Sequence, residues 1–327
     1  MTTIRWGVLG TGSIARTVVG ANPGAFVAAG SRDAAKAAVF SQEQSLEQSF
    51  GTYEELLACE SVDAVYVALP NSLHPEWTIK ALEAGKHVLC EKPFAQARAD
   101  AERCFEVAER VGKQCVEGFM WRLHPQTTLA RQLVADGAIG QLAHIRAALR
   151  ITSPPGDVRR SPDLGGGALS DLGCYCASAM RLFGGEPRRV TAEAVFDGVD
   201  MRFAALLRLP DGVLGTFDAA LDLPRADELE LVGTEGSLRI PDPWICRGGE
   251  LELTRKGVTE RLPVDPTGQF GLTGEESDPY RIEFATVSAA LTSGPPLQFG
   301  SDDAIAQATT YAALMSSARG GSPVSLQ

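Results

Sequence analysis

The sequence predicts an α/β fold in two parts. A doubly wound parallel sheet is expected over 1–122, and an α+β region built on a large, mostly antiparallel open sheet over 123–327. Three observations point there. Short apolar runs alternate with helix-period segments as far as about residue 120. Beyond residue 142 the strand candidates lengthen, alternate apolar with polar, and are divided by turn signals such as "LPDG" and "GTEG". The chain of 327 residues, 44% hydrophobic and 22% charged, is long enough for two domains.

The elements follow in order. Residues 4–9, 25–30, 62–69, 86–89 and 114–118 are short and rich in β-branched residues, as suits strands covered on both faces. The first crossover is so short that its helix must fit within about 13–20. A helix over 73–84 has Pro75 in its first turn and Gly85 after its end. Over 96–112, Ala101, Cys104, Phe105, Ala108 and Val111 repeat at helical spacing. A further helix starts near Pro125 and stops at Gly137. Strands are expected at 142–151, 188–197, 201–209, 213–222, 228–232 and 237–240, and helices at 169–183, 278–293 and 302–318. Residues 152–168, rich in Pro and Gly, are too long for a simple connection and are expected to form a substrate lid with Arg159, Arg160 and Asp163.

The net charge of −11 disfavours nucleic acid or an anionic membrane as partner. No apolar run is long enough to span a bilayer, and the N-terminus does not read as a signal peptide. Seven cysteines without a C-x-x-C pair suggest free thiols and a cytoplasmic protein. The four histidines are dispersed, so no metal site is expected.

"GVLGTGSIA" places Gly10-x-Gly12-x-x-Ala15 directly after the first strand and at the opening of a helix. Glycines allow the tight turn and let backbone N–H groups approach a pyrophosphate, and the helix N-terminus favours an anion. The first part therefore reads as a dinucleotide-binding Rossmann domain. Its second strand ends "GSRD", so Ser31 and Arg32 stand where cofactor selectivity is set. An arginine fork can pair with a 2′-phosphate, which favours NADP; Asp33 keeps NAD open.

"PNSLH" at 70–74, "EKP" at 91–93, "EGFMWRLHP" at 117–125 and "GGGALSDLGCY" at 165–175 then line up. With these the chain resembles the Gfo/Idh/MocA oxidoreductase family, in its glucose–fructose oxidoreductase, NADP-dependent xylose dehydrogenase and dimeric dihydrodiol dehydrogenase branch. The resemblance covers nearly the whole chain. It implies that Lys92 is the active-site lysine and that the Lys92–Pro93 bond is cis, turning the lysine off the strand axis. It also implies cofactor contacts from Ser13, Ile14, Lys36, Leu69, Pro70, Asn71, His74, Glu91, Lys92, Trp121 and Arg122, in addition to Gly10, Gly12, Ser31 and Arg32. A homodimer or homotetramer through the second sheet is implied as well.

Asp171 and Tyr175 are four residues apart on an expected helix, hence on one face. Oxidising an alcohol needs hydride transfer to the nicotinamide and removal of the hydroxyl proton. A tyrosine of ordinary pKa about 10 is a poor base at neutral pH, but a neighbouring ammonium stabilises the phenolate. Tyr175 is therefore the expected acid/base, Lys92 the charge, and Asp171 the group orienting Lys92 or the substrate hydroxyl. Lys92, Trp121, Asp171 and Tyr175 are the expected substrate contacts. Many members of the family have histidine where this chain has Tyr175, and that departure points to the sugar and dihydrodiol branch. The reading is an NADP-dependent dehydrogenase of a cyclic polyol or aldose. Oxidation of trans-dihydrodiols, with dicarbonyl reduction as its reverse, uses the same residues. A catalytically silent NADP(H)-binding sensor is the alternative of another class.

Overall fold

The computed structural model describes residues 4–265, 278–292 and 294–326. The chain divides into two units. One comprises Met1–Phe119 and Tyr280–Ile305, the other Met120–Pro279 and Ala306–Gln327. The first boundary lies close to the expected one at 122. The second unit, however, is not continuous to the C-terminus as expected, because residues 280–305 return to the first.

The first unit contains β1 (Trp6–Leu9), α1 (Ser13–Ala21), β2 (Phe26–Gly30), α2 (Ala34–Glu43), β3 (Gln48–Phe50), α3 (Tyr53–Leu57), β4 (Ala64–Val67), α4 (His74–Glu83), β5 (His87–Glu91), α5 (Arg98–Val111) and β6 (Cys115–Gly118). All its strands are parallel, in the order β3-β2-β1-β4-β5-β6. This is the doubly wound order whose ligands sit at the carboxyl ends of the strands. β3 escaped the sequence reading because it is a three-residue edge strand, polar and only partly buried, with no apolar run to announce it.

The second unit opens with α6 (Met120–Leu123) and α7 (Pro125–Ala135). β7 (Leu142–Thr152), α8 (Cys174–Gly184), β8 (Arg189–Asp197), β9 (Val199–Arg208), β10 (Leu214–Ala220), β11 (Asp222–Gly233), β12 (Gly236–Ile240), β13 (Glu250–Arg255) and β14 (Val258–Pro263) follow. The chain then forms α9 (Pro279–Thr292), α10 (Ser301–Gly320) and β15 (Val324–Ser325). Nine strands make one sheet, β14-β13-β12-β11-β7-β10-β9-β8-β15, antiparallel except for the β7–β10 pair. α8 packs on β7 and β10. Ile145, Phe217, Leu229 and Leu231 are buried on the strands, while Arg146–Glu230 and Arg150–Asp218 pair across strands among residues that retain exposure. The β13–β14 hairpin is an addition to the predicted strands. Its alternating "ELELT" and its turn at Lys256–Gly257, both at positive φ, were signals in the sequence.

Residues 280–305 belong with the first unit for a packing reason. Phe284, 1% exposed, lies with ring centroids 5.0 Å from Trp6, 5.1 Å from Phe26 and 5.3 Å from Tyr66. Val287 joins the same cluster, and Trp6 Nε1 donates to Ser288 Oγ at 3.0 Å. Without α9, these aromatics on β1, β2 and β4 would face water, a cost of about 1.5–3 kcal/mol for each large side chain.

Candidate active site

In the first unit the expected cofactor residues collect at the carboxyl ends of β1, β2, β4 and β5. Gly10 follows β1 at φ +103°, and a Cβ there would stand 2.5 Å from the Ala68 carbonyl oxygen and 3.2 Å from Leu69 Cδ2. The turn after β1 and the loop after β4 therefore touch only because residue 10 has no side chain. Gly12 differs. It is the N-cap of α1 with an extended backbone, makes no side-chain cap, and would place a Cβ with no atom of the described residues within 4 Å. None of the described residues demands glycine there, and a residue without a side chain leaves room for a phosphate at the N–H groups of the first helical turn, Ser13 and Ile14 included. The residues thus fit a dinucleotide.

At the end of β2, Ser31 is buried and accepts from Asp33 N at 3.3 Å. Asp33 is the N-cap of α2, its carboxylate accepting from Ala35 N at 3.0 Å and Lys36 N at 3.2 Å. The acid held open as a ribose ligand is engaged by the helix. Arg32 and Lys36 remain exposed beside it, with Arg32 next to the Tyr53 hydroxyl.

Leu69, Pro70 and Asn71 lead from β4 into α4. His74, expected at the cofactor, is fully buried instead, with Nδ1 2.8 Å from the Pro93 carbonyl and Nε2 2.8 Å from the Leu69 carbonyl. It ties the loop after β4 to the turn after β5. Burial holds its imidazole below the ordinary pKa, against the two carbonyls that favour a proton. The Lys92–Pro93 bond in that turn is cis. Glu91, also expected at the cofactor, turns its carboxylate inward, where it accepts the Tyr66 hydroxyl. Strand alternation places Glu91 with Leu89 on the face covered by α9. Burial and the Glu91 charge push the Tyr66 hydroxyl and the Glu283 carboxyl well up, so both favour the protonated form.

A groove of about 650 Å³ in this unit is lined by Phe105, Cys115, Leu297, Phe299 and Ser301. Cys115 begins β6, so the groove reaches the strands at the end opposite the cofactor loops.

In the second unit, Asp171 and Tyr175 fall on either side of a change in helix type. Asp171 lies in a π-helical turn, Leu169–Gly173, that runs into α8. Such turns recur at functional sites. Gly167, at φ +124°, stacks over the Asp200 carboxylate, which accepts Leu169 N at 2.6 Å and anchors the turn. Burial pushes Asp200 up to about 6, with the Leu169 N–H opposing it. Arg159 Nε donates to Asp171 Oδ2 at 2.6 Å.

Tyr175 is 7% exposed; its hydroxyl donates to Met120 Sδ at 3.5 Å, a weak acceptor, and its ring lies 5.7 Å from Trp244. Trp121 meets Trp244 edge-on at 5.5 Å. Trp121 and Arg122, expected beside the nicotinamide, are buried, and Arg122 Nε donates to Ser178 Oγ at 2.7 Å. Trp244 was absent from the sequence reading. Its Nε1 donates to the Ala148 carbonyl at 3.2 Å, and Asp242 caps the tight loop that carries it. The "PDPW" turn was its only local signal. Among the described residues no group of three His, Cys, Asp or Glu side chains could hold a metal, and no helix is long and apolar enough to cross a membrane.

Comparison with known proteins shows the family. Residues 4–119 match the model of the oxidoreductase family with an NAD-binding Rossmann fold, and residues 127–239 match the GFO/IDH/MocA C-terminal domain. The chain is 33% identical to D-xylose 1-dehydrogenase (NADP(+)) 2 of Haloferax volcanii, covering 98% of this chain and 99% of that protein. It is 30% identical to trans-1,2-dihydrobenzene-1,2-diol dehydrogenase of Sus scrofa, over 83% of each. Among solved structures it resembles KijD10, a 3-ketoreductase from Actinomadura kijaniata in complex with NADP and TDP-benzene. That likeness has a TM-score of 0.85 and 30% identity, and covers 97% of this chain and 98% of the other.

Proposed function

Because the chain belongs to the Gfo/Idh/MocA oxidoreductase family, we propose that it is an NADP-dependent dehydrogenase of a cyclic polyol or aldose, of the xylose or glucose kind. The observation that carries the cofactor reading is the end of β2. The acid that would bind a ribose 2′-hydroxyl caps α2, while Arg32 and Lys36 stay exposed for a 2′-phosphate. Gly10, Gly12, Ser13 and Ile14 would hold the pyrophosphate, and Leu69, Pro70 and Asn71 the path toward the nicotinamide. When bound, NADP supplies the hydride acceptor.

The protein's own part is proton transfer and orientation. Tyr175 takes the substrate hydroxyl proton, Lys92 supplies the positive charge that favours the phenolate, and Asp171 orients the hydroxyl. The Tyr175 hydroxyl lies beside the Met120 sulfur, in a pocket closed on one side by the Trp244 ring. Solved variants of the similar 3-ketoreductase replace a lysine and a tyrosine, the same pair of residue types. Trp121 contributes by backing Tyr175 through Trp244, and Glu91 and His74 by shaping the two loops. A homodimer or homotetramer would use the open face of the nine-stranded sheet, where Leu206 and Leu214 are exposed.

The test is absorbance at 340 nm with NADP and a panel of aldoses and trans-dihydrodiols. The dihydrodiol reading shares every residue, so the panel separates the two. Lys92→Met and Tyr175→Phe should each lower kcat by at least roughly 100-fold while NADPH binding stays within about twofold. Near-wild-type rates in both would refute the roles. Tight NADPH binding without turnover on any substrate would favour the sensor.

A further inference from the structure

Arg159 stands on the single turn Val158–Arg160, in the long connection between β7 and α8. Besides its 2.6 Å bond to Asp171 Oδ2, it donates through Nη1 to both Asp157 oxygens, at 3.2 and 3.3 Å. Asp157 also accepts the Arg159 backbone N–H at 2.9 Å, and the Arg159 carbonyl accepts from Gly167 N at 2.9 Å. One residue thus joins the connection, the glycine run and Asp171.

The guanidinium is planar, and its Nε–H and one Nη–H lie parallel along a single edge, the edge that grips two oxygens at once. On that edge Nε donates to Asp171 Oδ2. Nη2 donates to none of the described residues, and the side chain is 34% exposed. An oxygen placed beside the Asp171 carboxylate would meet that second N–H.

We infer that Arg159 is a positioning residue for Asp171 and, through Nη2, the donor that reads a substrate oxygen on the carbon next to the reacting carbinol. The inference rests on the proposed dehydrogenase reading, in which Asp171 orients the substrate hydroxyl. Its ligand class is a vicinal oxygen-bearing alcohol, a feature shared by aldoses and trans-dihydrodiols.

The experiment compares an aldose with its 2-deoxy counterpart in the wild type, Arg159→Gln, Arg159→Lys and Asp157→Asn. For Arg159→Gln, loss of charge-assisted hydrogen bonds should lower kcat/KM for the aldose on the order of 100-fold, with NADPH affinity within about twofold. The preference for aldose over 2-deoxy aldose should shrink by roughly tenfold or more, because the variant loses the donor that distinguishes them. Arg159→Lys should recover part of kcat but not the preference, since an ammonium has no second parallel N–H. A wild-type kcat/KM in Arg159→Gln, or equal losses on both substrates, overturns the inference.

If Arg159→Gln does not fold, Asp157→Asn decides. It leaves Arg159 present but loosened, and should raise KM about fivefold with kcat within about twofold; an unchanged KM overturns the role. If the wild type turns over no sugar or diol, the dehydrogenase reading fails by itself. Hydrogen exchange over 157–171 then reads the tie, and should speed up by roughly tenfold in Arg159→Gln. Unchanged exchange overturns it.

Discussion

Replacing each glycine of the first turn by alanine separates the fold from the cofactor site. Gly10→Ala puts a side chain on a backbone at φ +103° and a Cβ 2.5 Å from a main-chain oxygen. Backbone strain and overpacking together should cost about 2–5 kcal/mol. At roughly 2–4 °C per kcal/mol, the first unit should melt about 4–20 °C lower. Gly12→Ala meets no atom of the described residues within 4 Å, and its backbone suits any L-residue. Its stability should stay within about 0.5 kcal/mol, since the lower entropy of the unfolded chain offsets a poorer N-cap. Its Cβ would nevertheless project into the space proposed for the phosphates. Loss of charge-assisted bonds worth about 1.5–3 kcal/mol should raise the NADPH Kd roughly 10- to 100-fold. Fluorescence titration of NADPH beside a thermal melt reads both quantities. A Gly12→Ala protein that binds NADPH like the wild type, or melts as low as Gly10→Ala, would refute the assignment of the two glycines.

Other predictions address the remaining parts. Joint replacement of Arg32 and Lys36 by alanine should weaken NADP at least roughly tenfold and leave NAD within about twofold, measured as the ratio of the two Kd values. Asp200, pushed up to about 6 by burial, holds its proton in the folded state over a pH range where the unfolded chain has released it. Its contribution is therefore full below the unfolded value of about 3.8 and falls by of order 3 kcal/mol as pH rises to about 6. Asp200→Asn should remove that slope, and parallel pH–stability curves for the two proteins would contradict the account. Phe284→Ala should cost about 3–5 kcal/mol and expose the aromatics of β1, β2 and β4. Denaturant unfolding checks it, and a loss under about 1 kcal/mol would detach α9 from the first unit.

The parts legible in the sequence were those written in short stretches. Trp6–Leu9, Gly10–Ala15 and the short helix that follows form a strand, a turn and a helix whose rules act over a few residues. The apolar runs of β4, β5 and β6 announce burial on both faces without reference to distant partners. The proposal for Lys92, Asp171 and Tyr175 has a different ground, the agreement of motifs far apart in the chain. What stayed hidden had no local pattern to announce it. β3 is too short and polar to carry a period. Trp244 reaches the Tyr175 ring from a loop about seventy residues away, and no local pattern distinguishes it from any other core aromatic.

The sequence by itself determined the doubly wound half and its glycine turn, since backbone geometry and apolar periodicity are local properties. Only the tertiary structure decided which way those side chains face. It turned Glu91 onto Tyr66, closed His74 on two carbonyls, returned 280–305 to the first unit and set Arg159 on Asp171. Each of those outcomes pairs a polar or aromatic group with a partner outside its own helix or strand, and a group shielded from water without such a partner costs more than local preference supplies.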